Sequence, residues 1–188
     1  MGQAWRGPRR ASVSDRTDMW PATAPGAIRF STEGVDRAHQ FEAYRTWMAS
    51  VVDLQPIDGV AARGGFDASQ TIWSFGALRL LRETCDPVEG RTVVARGRPS
   101  AVDHWVLALH VVGDITVRSG DAVRQTAPGG VCLAALIHAS HLRQDRSEAL
   151  YLFIPRDQVS QAVAARLDRL HNRNLLGPCP RLLPAHLL

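Results

Sequence analysis

The chain has 188 residues and a mass of 20.6 kDa, with 45% hydrophobic and 21% charged residues, which is the size and composition of one ordinary folded domain and not of a disordered chain. Its formal net charge of +4 comes entirely from arginine, with no lysine, and the arginine excess lies at the two ends, while residues 30–155 carry more acids than arginines. A body without concentrated cations does not suit displacement of phosphate counterions, so direct nucleic-acid binding by this chain is not expected.

In chain order, residues 1–27 hold Gly, Pro, Ser, Thr and Arg without a sustained apolar period and read as a disordered tail. No basic start followed by an apolar stretch and a small-residue cleavage site opens the chain, and its longest apolar run, Trp105–Val112, falls far short of the ~20 residues that span a bilayer. A cytoplasmic protein without membrane contact is the expectation. From Val35 to Val52, Phe41, Tyr44, Trp47, Met48 and Val51 recur at spacings of three and four, which predicts an amphipathic helix.

Short β-prone runs follow, over Thr71–Glu83, Arg91–Arg96, His104–Val112, Ile115–Arg118, Ala122–Gln125, Val131–His138 and Ala149–Ile154. Gly113-Asp114, Ser119-Gly120-Asp121 and Ala127-Pro128-Gly129-Gly130 supply turn chemistry between them. So many short antiparallel strands bury one side only by closing into a barrel or packing face to face. Alternation on His104–Val112 puts Trp105, Leu107, Leu109 and Val111 on one face, and His104, Val106, Ala108 and His110 on the other.

After Pro155 a helical period returns over Asp157–Asn172, with Val159, Val163, Leu167 and Leu170 on one stripe. This stripe either dimerises or lies against the barrel. A second helix is predicted near Pro180, with Leu182, Leu183 and Leu187 on its apolar side, and the pattern stops at Leu188 as a fragment or truncated product would. The reading therefore divides the chain into a tail at 1–27, a helix plus barrel at 28–154, and incomplete C-terminal helices at 155–188.

Several segments in this order resemble the N-terminal sensing domain of AraC-type transcription regulators. They are Phe30-Ser31-Thr32-Glu33-Gly34, Gln40-Phe41-Glu42-Ala43-Tyr44-Arg45, Phe75-Gly76-Ala77-Leu78-Arg79-Leu80, His104-Trp105, Pro128-Gly129, Leu152-Phe153-Ile154-Pro155-Arg156 and Leu167-Asp168-Arg169-Leu170-His171. The resemblance covers residues 28–188. It implies a mainly β fold with flanking α: a cupin-like antiparallel β-barrel of jelly-roll type, preceded by one helix and followed by a helical pair whose second member is truncated. It also implies a small-molecule effector and a homodimer. The roughly hundred residues of DNA-reading helices that such regulators carry have no counterpart after Leu170. Gly130 departs from the family too, where an acidic residue commonly follows the turn glycine.

Cupin barrels are often metal enzymes, so the histidines need a geometric test. His104 and His110 share a face but stand about 20 Å apart along a strand, while ligands of one metal lie ~2 Å from it. His138 and His141, three apart, point to opposite faces of a strand, although a loop could bring them together. No nucleophile elbow, phosphate loop or dinucleotide fingerprint is present, and Gly64-Gly65 and Gly129-Gly130 read as turns. Cys85, Cys132 and Cys179 are widely spaced and odd in number, which supports neither a disulfide framework nor a zinc ribbon. No catalytic group, metal or cofactor is expected. Candidate effector contacts are His104, Val106, Ala108, His110, Trp73 and Phe75, each alternatively packed core, and the candidate dimer contacts are Val159, Val163, Leu167 and Leu170. The competing readings are a metal-dependent cupin enzyme and an orphan chain that heterodimerises with a full-length relative.

Overall fold

A computed structural model describes residues 26–57, 64–92 and 103–176. Within them the chain opens with β1 (Ile28–Ser31), a 3₁₀ turn at Arg37–His39, α1 (Gln40–Met48) and β2 (Val52–Pro56). Strands β3 (Ala68–Phe75), β4 (Leu78–Cys85), β5 (Val88–Thr92), β6 (His104–Val112), β7 (Ile115–Ser119) and β8 (Ala122–Thr126) follow. Next come β9 (Val131–Ala135), β10 (His141–Gln144) and β11 (Ser147–Pro155), a 3₁₀ turn at Arg156–Gln158, α2 (Gln161–Arg169) and β12 (Arg173–Leu176).

The described strands form two antiparallel sheets, one ordered β1-β3-β4-β11-β6-β9-β12 and the other β2-β5-β10-β7-β8. Among the described residues no ladder joins them, and the strands of the expected barrel stand as a pair of facing sheets. Side chains bridge one edge: Arg124 and Thr126 on β8 donate to the side-chain oxygens of Asn172 and of Asn174 on β12, and Asn174 donates to the Gln125 carbonyl.

Several expectations are corrected. The helix drawn over Val35–Val52 is confined to Gln40–Met48, because the period changes at Val52, where Val52 and Leu54 are buried and Asp53 and Gln55 exposed as a strand requires. The run Thr71–Glu83 is two strands around a hairpin, turned at Gly76 with φ +62°. Val131–His138 ends as a strand at Ala135, with β10 following. The helix expected over Asp157–Asn172 is shortened to Gln161–Arg169. Val159 is extended, Ser160 caps the helix by accepting from the Val163 amide at 3.4 Å, and the chain re-enters a sheet as β12. Beyond Thr92 the run to Arg96 lies outside the described residues, as do the tail up to Pro25, Cys179 and the helix near Pro180.

Packing follows these elements. Tyr44 of α1 lies over Val52, Leu54, Phe66, Ala68, Cys85 and Val88, with its ring stacked 5.3 Å from that of Phe66. On the other side Val159, just before α2, and Ala164 and Leu167 of α2 pack against buried Trp105, Leu133 and Ala135. Burial of a side chain the size of Trp105 contributes several kcal/mol, about 3–5 by the cost of its truncation to alanine. Among the described residues no helix is long and apolar enough to cross a membrane.

A candidate ligand cavity between the sheets

Between the facing sheets lies a cavity of about 140 Å³. Its walls are mostly aliphatic, with Leu81, Val106, Ala108 and Phe153 from one sheet and Val52, Val88, Ile115, Val117 and Leu142 from the other. Met48 and Tyr44 of α1 close onto it. A cavity of this size takes a guest as large as a benzene ring.

Polar groups enter at two places. The first is Glu83 of β4, which is 4% exposed. Its Oε2 accepts hydrogen bonds from Tyr44 Oη at 2.9 Å and from Gln70 Nε2, and its Oε1 accepts from Tyr151 Oη at 3.5 Å. Burial pushes the Glu83 carboxyl above its ordinary range, against the opposing pull of these donors. Burial, reinforced by the neighbouring Glu83 charge, also raises the Tyr44 and Tyr151 hydroxyls and pushes the Cys85 thiol up to about 12. These three groups stay protonated. Cys85 is therefore no nucleophile; its sulfur sits 2.7 Å from the Gln144 amide nitrogen.

The second polar place is Arg124 with His110. On β8 Arg124 and Thr126 point inward, and Arg124 is 7% exposed. Its Nε donates to Asn172 Oδ1 at 3.0 Å and its Nη1 to Thr126 Oγ1 at 2.7 Å, both neutral acceptors, and no carboxylate pairs with it among the described residues. His110 is 1% exposed, and its Nε2 has no hydrogen-bond partner among the described residues. Burial first, and then the Arg124 charge, hold His110 down at about 4, so its imidazole is neutral at physiological pH.

Of the candidate effector contacts, Val106, Ala108 and His110 line this cavity together. His104, at the start of β6, does not line it. Trp73 and Phe75 share the parity of exposed Ser69 and stand on the face of β3 opposite buried Gln70 and Ile72, with Phe75 60% exposed at the hairpin. They are not cavity walls. Glu83 and Arg124 went unrecognised in the sequence. For Glu83 a signal existed, since it shares parity with Leu81 and Cys85 in an otherwise buried row. For Arg124 there was none: neighbouring Val123 is 58% exposed, the reverse of what hydropathy suggests.

The helical stripe divides. Val159 and Leu167 pack against the sheet, whereas Val163 and Leu170 are 43% and 37% exposed. His138 leaves the strand and lies against His171, ring centroids 4.5 Å apart, while His171 Nδ1 accepts from the Ala135 amide at 2.9 Å. Among the described residues no three His, Cys, Asp or Glu side chains gather as a metal site would need. At Gly130 a Cβ would meet Thr126 Cγ2 at 2.6 Å and the Ala127 carbonyl at 2.8 Å. Gly130 thus stands in a turn where a side chain would force its neighbours to shift.

No family model matches the chain, and no curated protein does. Among solved structures it is similar to the AraC-like transcriptional activator CuxR, at 25% identity and a TM-score of 0.75 over 81% of this chain and 55% of that one. The chain thus spans about half of that activator's length. KdgF from Halomonas sp. matches at 18% identity and a TM-score of 0.38, over 57% of this chain and 91% of that one. A putative ethanolamine utilization protein from Salmonella typhimurium matches at 13% identity and a TM-score of 0.38, over 54% of this chain and 78% of that one. The similarity to AraC-type regulators that the sequence segments carry is carried by the three-dimensional structure as well.

Proposed function

We propose that the chain is a non-catalytic, ligand-sensing and dimerising module of AraC type, acting in the cytoplasm on attached or partner DNA-binding units. The observation that carries this reading is the cavity between the sheets, lined by Val106, Ala108 and His110, in a fold similar to an AraC-like activator. A sensing cavity has to be mostly apolar with a few converging polar groups, and this one is. The cavity touches Met48 and Tyr44 of α1 and, through Arg124 and Asn172, the turn that links α2 to β12. An occupant that presses differently on these helices in two dimer arrangements shifts the balance between them by its differential affinity, and the dimer in turn alters its affinity by the same factor.

The test is native mass spectrometry of the chain purified from cells, beside Ala108→Leu, which fills the cavity, with elemental analysis of the same samples. A co-purified or added small molecule retained by the unmodified chain and lost from Ala108→Leu supports the reading. Equimolar metal that disappears on changing His138 and His141 to alanine would replace it with the metal-dependent cupin enzyme.

A further inference from the structure

We infer that the cavity takes a small organic anion, a monocarboxylate with a compact aliphatic or carbocyclic body, whose charged end sits on Arg124 and the His110 Nε2 while its body lies among Val106, Val117, Ile115 and Leu142. The inference rests on the sensing role proposed above and names the chemistry of what is sensed.

A guanidinium removed from water loses a large solvation energy that neutral acceptors return only in part, so buried arginines generally face a carboxylate or phosphate. Arg124 faces none among the described residues: two of its N–H donors go to the amide oxygen of Asn172 and the hydroxyl of Thr126. The planar fork of arginine fits a carboxylate with two parallel hydrogen bonds. As its Nε2–H tautomer the neutral His110 ring adds a donor without a partner among the described residues, lining the same cavity. Both shortfalls are met by one negatively charged oxygen pair.

Glu83 does not argue for a cationic ligand, because both of its oxygens already accept from Tyr44, Gln70 and Tyr151. Burial also favours its protonated form, which weakens repulsion of an entering anion. The walls contribute size selection. A volume of about 140 Å³ fits a ring or a short branched chain.

The experiment is calorimetric titration of the full chain with three probes of one shape: 3-methylbutanoate, 3-methylbutan-1-ol and 3-methylbutylamine. Cyclohexanecarboxylate and cyclohexylmethanol serve as a second pair. The carboxylates are expected to bind at least about tenfold more tightly than the matching alcohols, with the amine weakest. Arg124→Gln should bring carboxylate affinity down to that of the alcohol, Arg124→Lys should keep part of the preference, and Ala108→Leu should weaken acid and alcohol alike. Equal binding of acid and alcohol, a preference for the amine, or a carboxylate preference that survives Arg124→Gln overturns the inference. Of these, binding of the alcohols without a charge preference leaves the sensing role standing. Failure of every probe to bind the unmodified chain overturns the inference and counts against the cavity as a sensor too. The ratio in the unmodified chain decides the matter even where Arg124→Gln fails to fold.

Discussion

The hydroxyl of Tyr44 donates a 2.9 Å hydrogen bond to Glu83 Oε2, tying α1 to β4 through the interior. Removal of the hydroxyl in Tyr44→Phe leaves the buried Glu83 Oε2 one donor short. Leaving a buried acceptor short of a partner costs about 1–3 kcal/mol. Urea denaturation should show that decrease with an unchanged slope, and an unchanged midpoint would mean the bond contributes nothing net.

Glu83 and His110 give stability opposite pH dependences. The folded-state pKa of Glu83 is raised, so its contribution is fullest below the ordinary glutamate value and is lost as pH rises through the folded value. That of His110 is lowered from 6.5 to about 4, so its contribution is present above 6.5 and is lost as pH falls toward 4. Relative to the unmodified chain, His110→Gln should therefore gain stability between pH 6.5 and 4, by up to about 3 kcal/mol. Glu83→Gln should lose ground relative to the unmodified chain as pH falls. Thermal melts across this range, plotted as differences from the unmodified chain, check both signs, and parallel curves would show that neither group is coupled to folding.

Much of this arrangement was legible in the sequence, and the exceptions have physical causes. The alternation of His104–Val112 correctly paired Val106, Ala108 and His110, since a strand buried on both faces still keeps its period of two. The hairpin between β3 and β4 was overlooked because Gly76 and Ala77 turn the chain within two residues of a β-prone run. Strand β12 lies where arginine and asparagine give no β signal, and only its pairing with β9 makes it one. Arg124 reads as a solvent-facing residue until Asn172, 48 positions later, is placed beside it.

Gly113 shows where backbone geometry, not side-chain chemistry, sets the residue. It turns β6 into β7 at φ +79°, and a Cβ there would run into the Arg146 carbonyl. Gly113→Ala combines a strained φ with that clash, so a loss of about 2–3 kcal/mol is expected. Chemical denaturation measures it. A loss under about 0.5 kcal/mol would show that the turn relaxes freely.

Trp105 holds α2 down from below. Its indole Nε1 donates to Asp168 Oδ1 at 3.0 Å, and the Arg156 guanidinium lies 4.3 Å over its ring while also pairing with Asp168. Asp168 is 40% exposed, so solvent screens much of the ion pair and the indole bond matters more. Asp168→Ala should cost about 1 kcal/mol overall. Amide exchange across Gln161–Arg169 should accelerate well before that of β6 or β11. Uniform acceleration through both sheets would mean that α2 does not open as a separate unit.

The divided stripe on α2 separates folding from assembly. Leu167 is half-buried against Trp105 and Leu133, so Leu167→Glu puts a charge into that apolar contact and weakens the seat of the helix whether or not the protein dimerises. Val163 and Leu170 are exposed, and burial of their apolar surface is available to a second copy. The double change Val163→Glu with Leu170→Glu should therefore lower the light-scattering mass from dimer to monomer while the melting temperature of the unassociated chain, measured at low concentration, stays within about 2 °C. Leu167→Glu should lower that temperature. A dimer that survives the double change with its concentration dependence intact would move the interface away from α2.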